Sequence, residues 1–161
     1  AATLSETPDA MRLALILLFF LLALPAWAER PQSIPPHSFA LKIPPEWVSP
    51  LPDQWCTPDG NISLLWKEME VQAEPARWAA EAQKKFPGTL TNRDLKLQLG
   101  GQPAWLFVGQ HQARIQRVYL TCRDRHGVIL VCTCTPSQNF ATIGIVQEIL
   151  NSFRWLPDQA K

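Results

Sequence analysis

The sequence predicts an α+β domain in which two α-helices pack on an antiparallel β-sheet. First, the stretch Arg114–Pro136 holds two β-rich runs around a short polar segment that ends at Gly127, which is the pattern of a β-hairpin. Second, apolar and polar residues alternate in several other short segments, as they do in half-buried strands. Third, two separate stretches, Glu74–Phe86 and Gln138–Ser152, carry apolar residues at helical spacing.

The N-terminal segment carries the pattern of an export signal. Arg12 precedes an apolar run, Leu13–Leu24, and Ala26-Trp27-Ala28 follows it as a small-x-small cleavage pattern. This arrangement predicts a secretory signal peptide over residues 11–28, within a leader of residues 1–28. The apolar run is shorter than the roughly 20 residues that a membrane-spanning helix needs. We therefore expect a periplasmic or secreted protein that contacts a membrane only if the signal peptide is retained.

Beyond the leader, the sequence predicts one domain. Residues 29–37 form a Pro-rich lead-in, residues 38–156 the α+β domain, and residues 157–161 a tail. Cleavage would leave 133 of the 161 residues, which is long enough for a hydrophobic core. It removes one basic and two acidic residues, which leaves 14 basic against 12 acidic. Such a weak net charge indicates neither a nucleic-acid partner nor a membrane surface.

The first half of the domain combines strands with a proline-rich loop. Ser38–Ile43 alternates and predicts the first strand. Pro44–Gly60 contains five prolines and predicts an irregular loop, since each proline removes a backbone donor. Asn61–Val71 predicts one or two strands. In the helical stretch Glu74–Phe86, Pro75 suits the first helical position and the apolar residues form one stripe.

The second half predicts two hairpins and a helix. Asn92–Leu99 and Gln102–Gly109 alternate on either side of two glycines that favour a tight turn, and the hairpin described above follows. In the helix Gln138–Ser152 we expect a buried stripe formed by Phe140, Ile143, Val146, Ile149 or Leu150, and Phe153. Gly144 makes this helix about 1 kcal/mol less stable than Ala would. A glycine is expected at this point if the helix lies close on the sheet.

All four cysteines lie in the predicted domain: Cys56, Cys122, Cys132 and Cys134. Export would place them in an oxidising compartment, so disulfides are expected, and four cysteines allow three pairings. If the hairpin sets Leu120 opposite Leu130, Cys122 shares a face with Cys132 and Cys134. We favour one bridge from Cys56 to the hairpin. The alternatives are buried free thiols and a metal site in which Cys132, Cys134 and Cys122 join Cys56 or His126. No cysteine directly follows the cleavage point, so a lipid anchor is not expected.

Several short motifs follow one another along the domain. They are Phe39-Ala-Leu-Lys-Ile-Pro44 followed by Trp47, the helix Pro75–Phe86, Gly100-Gly-Gln-Pro-Ala104, the hairpin, Asn139-Phe140 after Pro136, and Asn151-Ser-Phe-Arg-Trp155. From about Phe39 to Trp155 the sequence thereby resembles the PsbP/Mog-like superfamily, especially its DcrB-like bacterial envelope branch. The resemblance implies an antiparallel sheet with helices packed on it, a non-enzymatic role, and a protein partner in the cell envelope. No catalytic residue is carried over, because the matched motifs contain none.

Two sets of residues are candidates for a partner surface. Trp47 and Trp55 lie in the Pro-rich loop, where flat aromatic rings serve as surface anchors, although tryptophans also belong in cores. The hairpin carries a second set, which consists of Arg114, Arg117, Tyr119 and Arg123. We expect the last three on an outward face of the sheet, where the set would suit an anionic partner. A solvated strand face without a partner is the alternative for these arginines.

Catalytic chemistry has no motif in this sequence. The Gly-x-Ser-x-Gly, His-Glu-x-x-His and phosphate-loop patterns are missing, and no Ser or Cys is linked by motif to one of the three histidines. We therefore expect no enzyme, no catalytic residue, no cofactor and no resident metal. The sequence favours an exported envelope protein that binds another protein in an accessory or chaperone-like role. A small-ligand or metal-binding module built on the Cys and His residues is the alternative.

Overall fold

Residues 38–157 are the part of the chain that the computed structural model describes, apart from the side chains of Thr89, Asp94 and Leu95. The strands in this part are β1 (Phe39–Ala40), β2 (Val48–Leu51), β3 (Gln54–Cys56), β4 (Ile62–Glu70), β5 (Thr89–Leu99), β6 (Gln102–His111), β7 (Arg114–Arg123), β8 (His126–Cys134) and β9 (Arg154–Trp155). The helices are α1 (Pro75–Gln83) and α2 (Asn139–Asn151), and the 3-10 turn Pro136–Gln138 precedes α2. Within these residues no helix has the length and hydropathy needed to cross a membrane. The predicted leader and lead-in lie outside the described residues, as do residues 158–161 of the predicted tail.

Seven of the strands form one antiparallel sheet in the order β2-β3-β4-β8-β7-β6-β5, while β1 and β9 pair separately. The predicted hairpin is β7 and β8, and both strands lie in the middle of this sheet. Strands β5 and β6 form the other predicted hairpin. An antiparallel sheet with two helices packed on it confirms the predicted α+β class.

The proline-rich segment contains β2 and β3, so its prediction as an irregular loop throughout is wrong. β2 is an edge strand, and its pairing is irregular between Val48 and Leu51, the stretch that contains Pro50. An edge strand tolerates a proline because one of its sides needs no donor. β3 contains no proline and pairs in regular register with β4.

A two-residue turn, Asp124-Arg125, joins β7 to β8. Both residues have positive φ, 47° and 68°, as two-residue hairpin turns with the favoured twist require. This turn sets Leu120 opposite Ile129, and not opposite Leu130 as in the register considered from the sequence. A register shift of one residue moves every side chain of a strand to the other face. Cys122 therefore faces one side of the sheet, while Cys132 and Cys134 face the other.

The two helices cover opposite faces of the sheet. Helix α1 begins after Glu74, whose carboxylate accepts hydrogen bonds from the backbone N–H groups of Ala76 and Arg77, each at 3.1 Å. The α1 face of the sheet has its own hydrophobic cluster, which includes Trp78, Ala79, Ala82, Phe107, Val118 and Leu120. The α2 face has a second cluster, which includes Trp55, Leu64, Leu130, Val146, Ile149 and Phe153. The central strands are therefore buried on both sides.

Candidate functional site

Helix α2 buries a different stripe from the predicted one. Its buried residues are Thr142, Val146, Ile149 and Leu150, so the expectation that Phe140 and Ile143 are buried is wrong. The polar side chain of Thr142 can be buried because its hydroxyl donates a hydrogen bond to the carbonyl oxygen of Gln138 at 2.6 Å. The helix is apolar on two sides, and periodicity alone cannot tell which of them faces the sheet.

The outward side of α2 is an apolar surface. Phe140 is 87% exposed and Ile143 is 49% exposed, and Ala141 and Gly144 beside them are also exposed. We call Phe140, Ala141, Ile143 and Gly144 the α2 surface. The chain has no charged residue between Pro136 and Gln147, so the α2 surface is uncharged as well as apolar. An exposed apolar patch of this kind marks interaction sites in soluble proteins.

Gly144 lies in the middle of the α2 surface. The sequence predicts Gly144 at a point where the helix lies close on the sheet, and this prediction is wrong because the residue faces outward. A Cβ atom added at Gly144 would meet no other atom within 4 Å. Packing within the domain therefore does not require a glycine here, although glycine weakens a helix by about 1 kcal/mol relative to alanine.

Arg117 of β7 lies beneath the start of α2 and is only 7% exposed. Its Nη2 atom donates to Asn139 Oδ1, and its Nη1 atom lies 3.7 Å from Cys134 Sγ. No carboxylate forms an ion pair with Arg117 among the residues that the structure describes. The expectation that Arg117 lies on a solvated outward face is wrong, because α2 covers that face of the sheet.

The other hairpin residues do not form one surface with Arg117. Tyr119 is buried in the cluster beneath α2, and this burial raises its pKa to about 12. Arg114 Nη2 donates to the carbonyl oxygens of Gly60 at 3.1 Å and Asn61 at 2.9 Å. Arg123 Nη2 donates to the carbonyl oxygen of Leu156 at 2.7 Å, and its guanidinium lies 5.0 Å from the centre of the Trp155 ring. The predicted Arg-rich outward face is therefore not formed. Arg114 and Arg123 bind backbone carbonyl groups, and Arg117 is buried.

Trp47 and Trp55 are core residues. They are 5% and 7% exposed, and Trp55 stacks on Trp66 with 6.5 Å between the ring centroids. The interpretation of these two residues as exposed anchors is therefore wrong. The exposed large apolar residues in this part of the chain are Val48 and Leu51 of β2. Sequence patterns did not single them out.

All four cysteines are unbonded thiols, so the predicted disulfide is not present. Cys56 and Cys122 share the α1 face, but β4 and β8 lie between their strands, and three strand spacings of about 4.8 Å exceed the reach of a disulfide. Cys132 and Cys134 point to the α2 face. Within the described part of the chain, no group of three or more His, Cys, Asp or Glu residues is placed to hold a metal ion. The cluster that the metal alternative requires is therefore not assembled.

A shallow cleft of about 300 Å³ lies where the described chain begins, lined by Ser38, Glu68, Met69 and His126. The backbone N–H and the hydroxyl of Ser38 both donate to Glu68 Oε1, at 2.8 Å and 2.5 Å. The serine hydroxyl thus donates directly to a carboxylate and not to the histidine. In a serine nucleophile a histidine takes that proton. The contact between Ser38 and Glu68 instead holds the start of the domain against β4.

Comparison with solved structures identifies the fold. The solution structure of the cyanobacterial PsbP protein CyanoP from Synechocystis sp. PCC 6803 is similar with a TM-score of 0.52 and 10% identity, over 74% of this chain and 87% of that chain. The crystal structure of the Ran-binding protein Mog1p from Saccharomyces cerevisiae is similar with a TM-score of 0.52 and 12% identity, over 73% of this chain and 90% of that chain. No protein-family model and no curated protein matches the chain. The chain therefore has the PsbP/Mog-like fold, and identities this low establish the fold alone.

Proposed function

We propose that this chain is an exported, non-enzymatic protein that binds another protein of the cell envelope through the α2 surface, in an accessory or chaperone-like role. The observation that carries the proposal is the exposure of Phe140 and Ile143 on a helix whose opposite side is fully packed. Export is supported by the signal-peptide pattern of residues 11–28.

Gly144 supports the same assignment. Phe140 and Gly144 are four residues apart, so they lie one above the other on the same side of the helix. A residue without a side chain at that point lets a partner segment approach the helix backbone, with Phe140 and Ile143 as neighbouring contacts. Aromatic residues at the centre of such contacts commonly contribute most of the binding free energy.

Site-specific photo-crosslinking tests the proposal. A photoreactive phenylalanine analogue replaces Phe140 in one variant and Ala80, an exposed residue on α1, in a control variant. After irradiation of producing cells, we expect one discrete protein adduct from position 140 and none from position 80. The same adduct pattern from both positions, or no adduct from position 140, would contradict the proposal.

A second arm removes the surface without removing the probe. The photoreactive residue is placed at the exposed position Gln147, one turn beyond Ile143 on α2, with and without Phe140→Ser and Ile143→Ser. We expect the two serine substitutions to abolish the adduct while leaving the urea midpoint nearly unchanged, because exposed side chains contribute little to stability. Persistence of the adduct would show that Phe140 and Ile143 do not hold the partner, which contradicts the proposal.

A further inference from the structure

Arg117 presents a charge that the described part of the protein does not neutralise. Its two hydrogen-bond partners are the Asn139 amide and the Cys134 sulfur, and neither is a carboxylate. Buried cations in proteins are normally paired with an anion, because their removal from water is unfavourable. A guanidinium also has five donors, and these two contacts use only two of them.

The neighbouring titratable groups do not provide the missing negative charge. Cys132 lies directly opposite Arg117 in the sheet, and burial raises the pKa of its thiol to about 12. Burial likewise raises the pKa of Tyr119 to about 12. Both groups are therefore neutral at physiological pH and supply no negative charge to Arg117.

The surroundings of Arg117 define what kind of anion fits. Asn139 and Ile143 are four residues apart and lie on one flank of α2, so the guanidinium lies beside the α2 surface. On the other side, Arg117 is paired with Val108 of β6, which is half-buried. The ligand must therefore present a carboxylate and an apolar group within a few ångströms of each other.

A chain terminus meets this condition better than an acidic side chain does. At a C-terminus the carboxylate and the side chain diverge from the same Cα atom, so one residue satisfies both requirements. Since only 7% of Arg117 is exposed, the end of a chain can reach it more readily than a continuous chain segment can. Capture of C-terminal carboxylates is a recurrent mode of peptide recognition.

We propose that Arg117 binds the C-terminal carboxylate of the partner protein, whose apolar last side chain packs on Ile143 and Phe140. This inference rests on the proposed function and specifies which part of the partner the α2 surface recognises. The planar guanidinium matches a carboxylate through its free donors, while Asn139 holds the guanidinium in place.

The test is an NMR titration of the ¹⁵N-labelled mature chain with three small probes. N-acetyl-leucine carries the C-terminal carboxylate and an apolar side chain, N-acetyl-leucinamide lacks the charge, and the α-amide of N-acetyl-aspartic acid carries only a side-chain carboxylate. We expect N-acetyl-leucine to shift the Arg117 Nε–H and Ile143 signals with a Kd on the order of 1–10 mM, as suits so small a ligand. The Kd values of the other two probes are expected to be higher by a factor of about ten or more.

Variants make the assignment specific. Arg117→Lys keeps the charge but loses the planar fork, so N-acetyl-leucine should bind several-fold more weakly. Arg125→Gln is the matched control, because Arg125 is exposed in the turn between β7 and β8 and paired with Glu70 at 2.8 Å. It should leave the titration unchanged.

Three results would overturn the inference. One is equal binding of N-acetyl-leucine and its amide, another is equal binding of the side-chain carboxylate, and the third is no shift at Arg117 with the unaltered chain. The unaltered chain decides each of them, so the test survives if an Arg117 variant does not fold. An adduct at position 140 without carboxylate preference would reject this inference alone, whereas loss of the adduct rejects the proposed function.

Discussion

The guanidinium of Arg117 on β7 donates a hydrogen bond to the side chain of Asn139 at the start of α2, 22 residues further along the chain. This contact joins the middle of the sheet to the first turn of the helix that carries Phe140. The position of the α2 surface therefore depends on a buried polar contact as well as on the apolar stripe of α2.

Asn139→Ala is expected to lower the free energy of unfolding by about 1–3 kcal/mol, because it leaves a buried charged donor without its amide partner. Urea denaturation monitored by tryptophan fluorescence measures the change. Asn151→Ala is the control on the same helix, since Asn151 is exposed and bonds only to Gln147. It should change stability by less than about 0.5 kcal/mol. Equal effects of the two substitutions would show that the Arg117 contact contributes nothing specific.

Gly127→Ala is expected to destabilise the protein by about 1–3 kcal/mol through overpacking. An added Cβ would lie 2.5 Å from Val71 Cγ2 and 2.9 Å from Cζ2 of Trp78, so β8 and α1 would have to move apart. The same substitution at Gly144 meets open space and should stabilise the helix by up to about 1 kcal/mol. Urea midpoints of the two variants should therefore shift in opposite directions. Shifts of the same sign would contradict the contacts described for these two glycines.

Tyr119 is expected to titrate far above the usual range for tyrosine. Burial raises its pKa from 10.0 to about 12. It is the single tyrosine of the chain, so the absorbance of tyrosinate during an alkaline titration reports this residue alone. We expect ionisation near pH 12 in the folded protein and near pH 10 in urea. A midpoint near 10 in the folded protein would show that the hydroxyl is solvated.

The same shift predicts how stability depends on pH. The folded state keeps the Tyr119 proton where the unfolded state loses it, so stability is full below pH 10 and falls as the pH rises towards 12. Two pKa units correspond to a loss on the order of 3 kcal/mol. Cys132 acts in the same direction, from 9.0 towards 12. Urea midpoints at about pH 8 and about pH 11 should differ less for Tyr119→Phe than for the unaltered protein.

The four thiols are expected to differ in reactivity. Cys132 and Cys134 are 0% exposed and should be alkylated only after unfolding, whereas the half-buried Cys56 should react in the native protein. Burial raises the pKa of Cys122, which should therefore react slowly. Intact mass after timed alkylation measures these rates, and Cys56→Ser should remove the fastest step. A gain of two hydrogens on reduction would reveal a disulfide and contradict the strand geometry.

The α+β class, the central hairpin and both helices are predictable because they depend on local periodicity. Alternation with period 2 and apolar spacing with period 3.6 reflect where neighbouring side chains point in a strand and in a helix. The first run of the stretch Arg114–Pro136 alternates, and Glu74–Phe86 carries the helical spacing. Trp47 and Trp55 show the limit of such reasoning, since a proline-rich segment can be an exposed loop or can pack its aromatic residues against the core, as it does here.

The candidate site is less predictable because it depends on which face of each element is covered. Apolar residues on two sides of α2 fit a helix in either orientation, and only packing against Leu64 and Leu130 leaves Phe140 outside. Arg117 is identifiable as a candidate from the sequence, but its burial is not, because alternation in β7 cannot show that a helix covers the polar side.

The sequence by itself therefore determined the central hairpin, both helices, the fold class and the export pattern, all of which follow from properties of adjacent residues. The tertiary structure decided the register of β7 on β8, the separation of Cys122 from Cys132 and Cys134, and the burial of Arg117 beneath α2. The physical reason is that a positive-φ turn of two residues sets the register, and a shift of one residue exchanges the faces of a strand. Which helix then covers which face is settled by packing across the whole sheet.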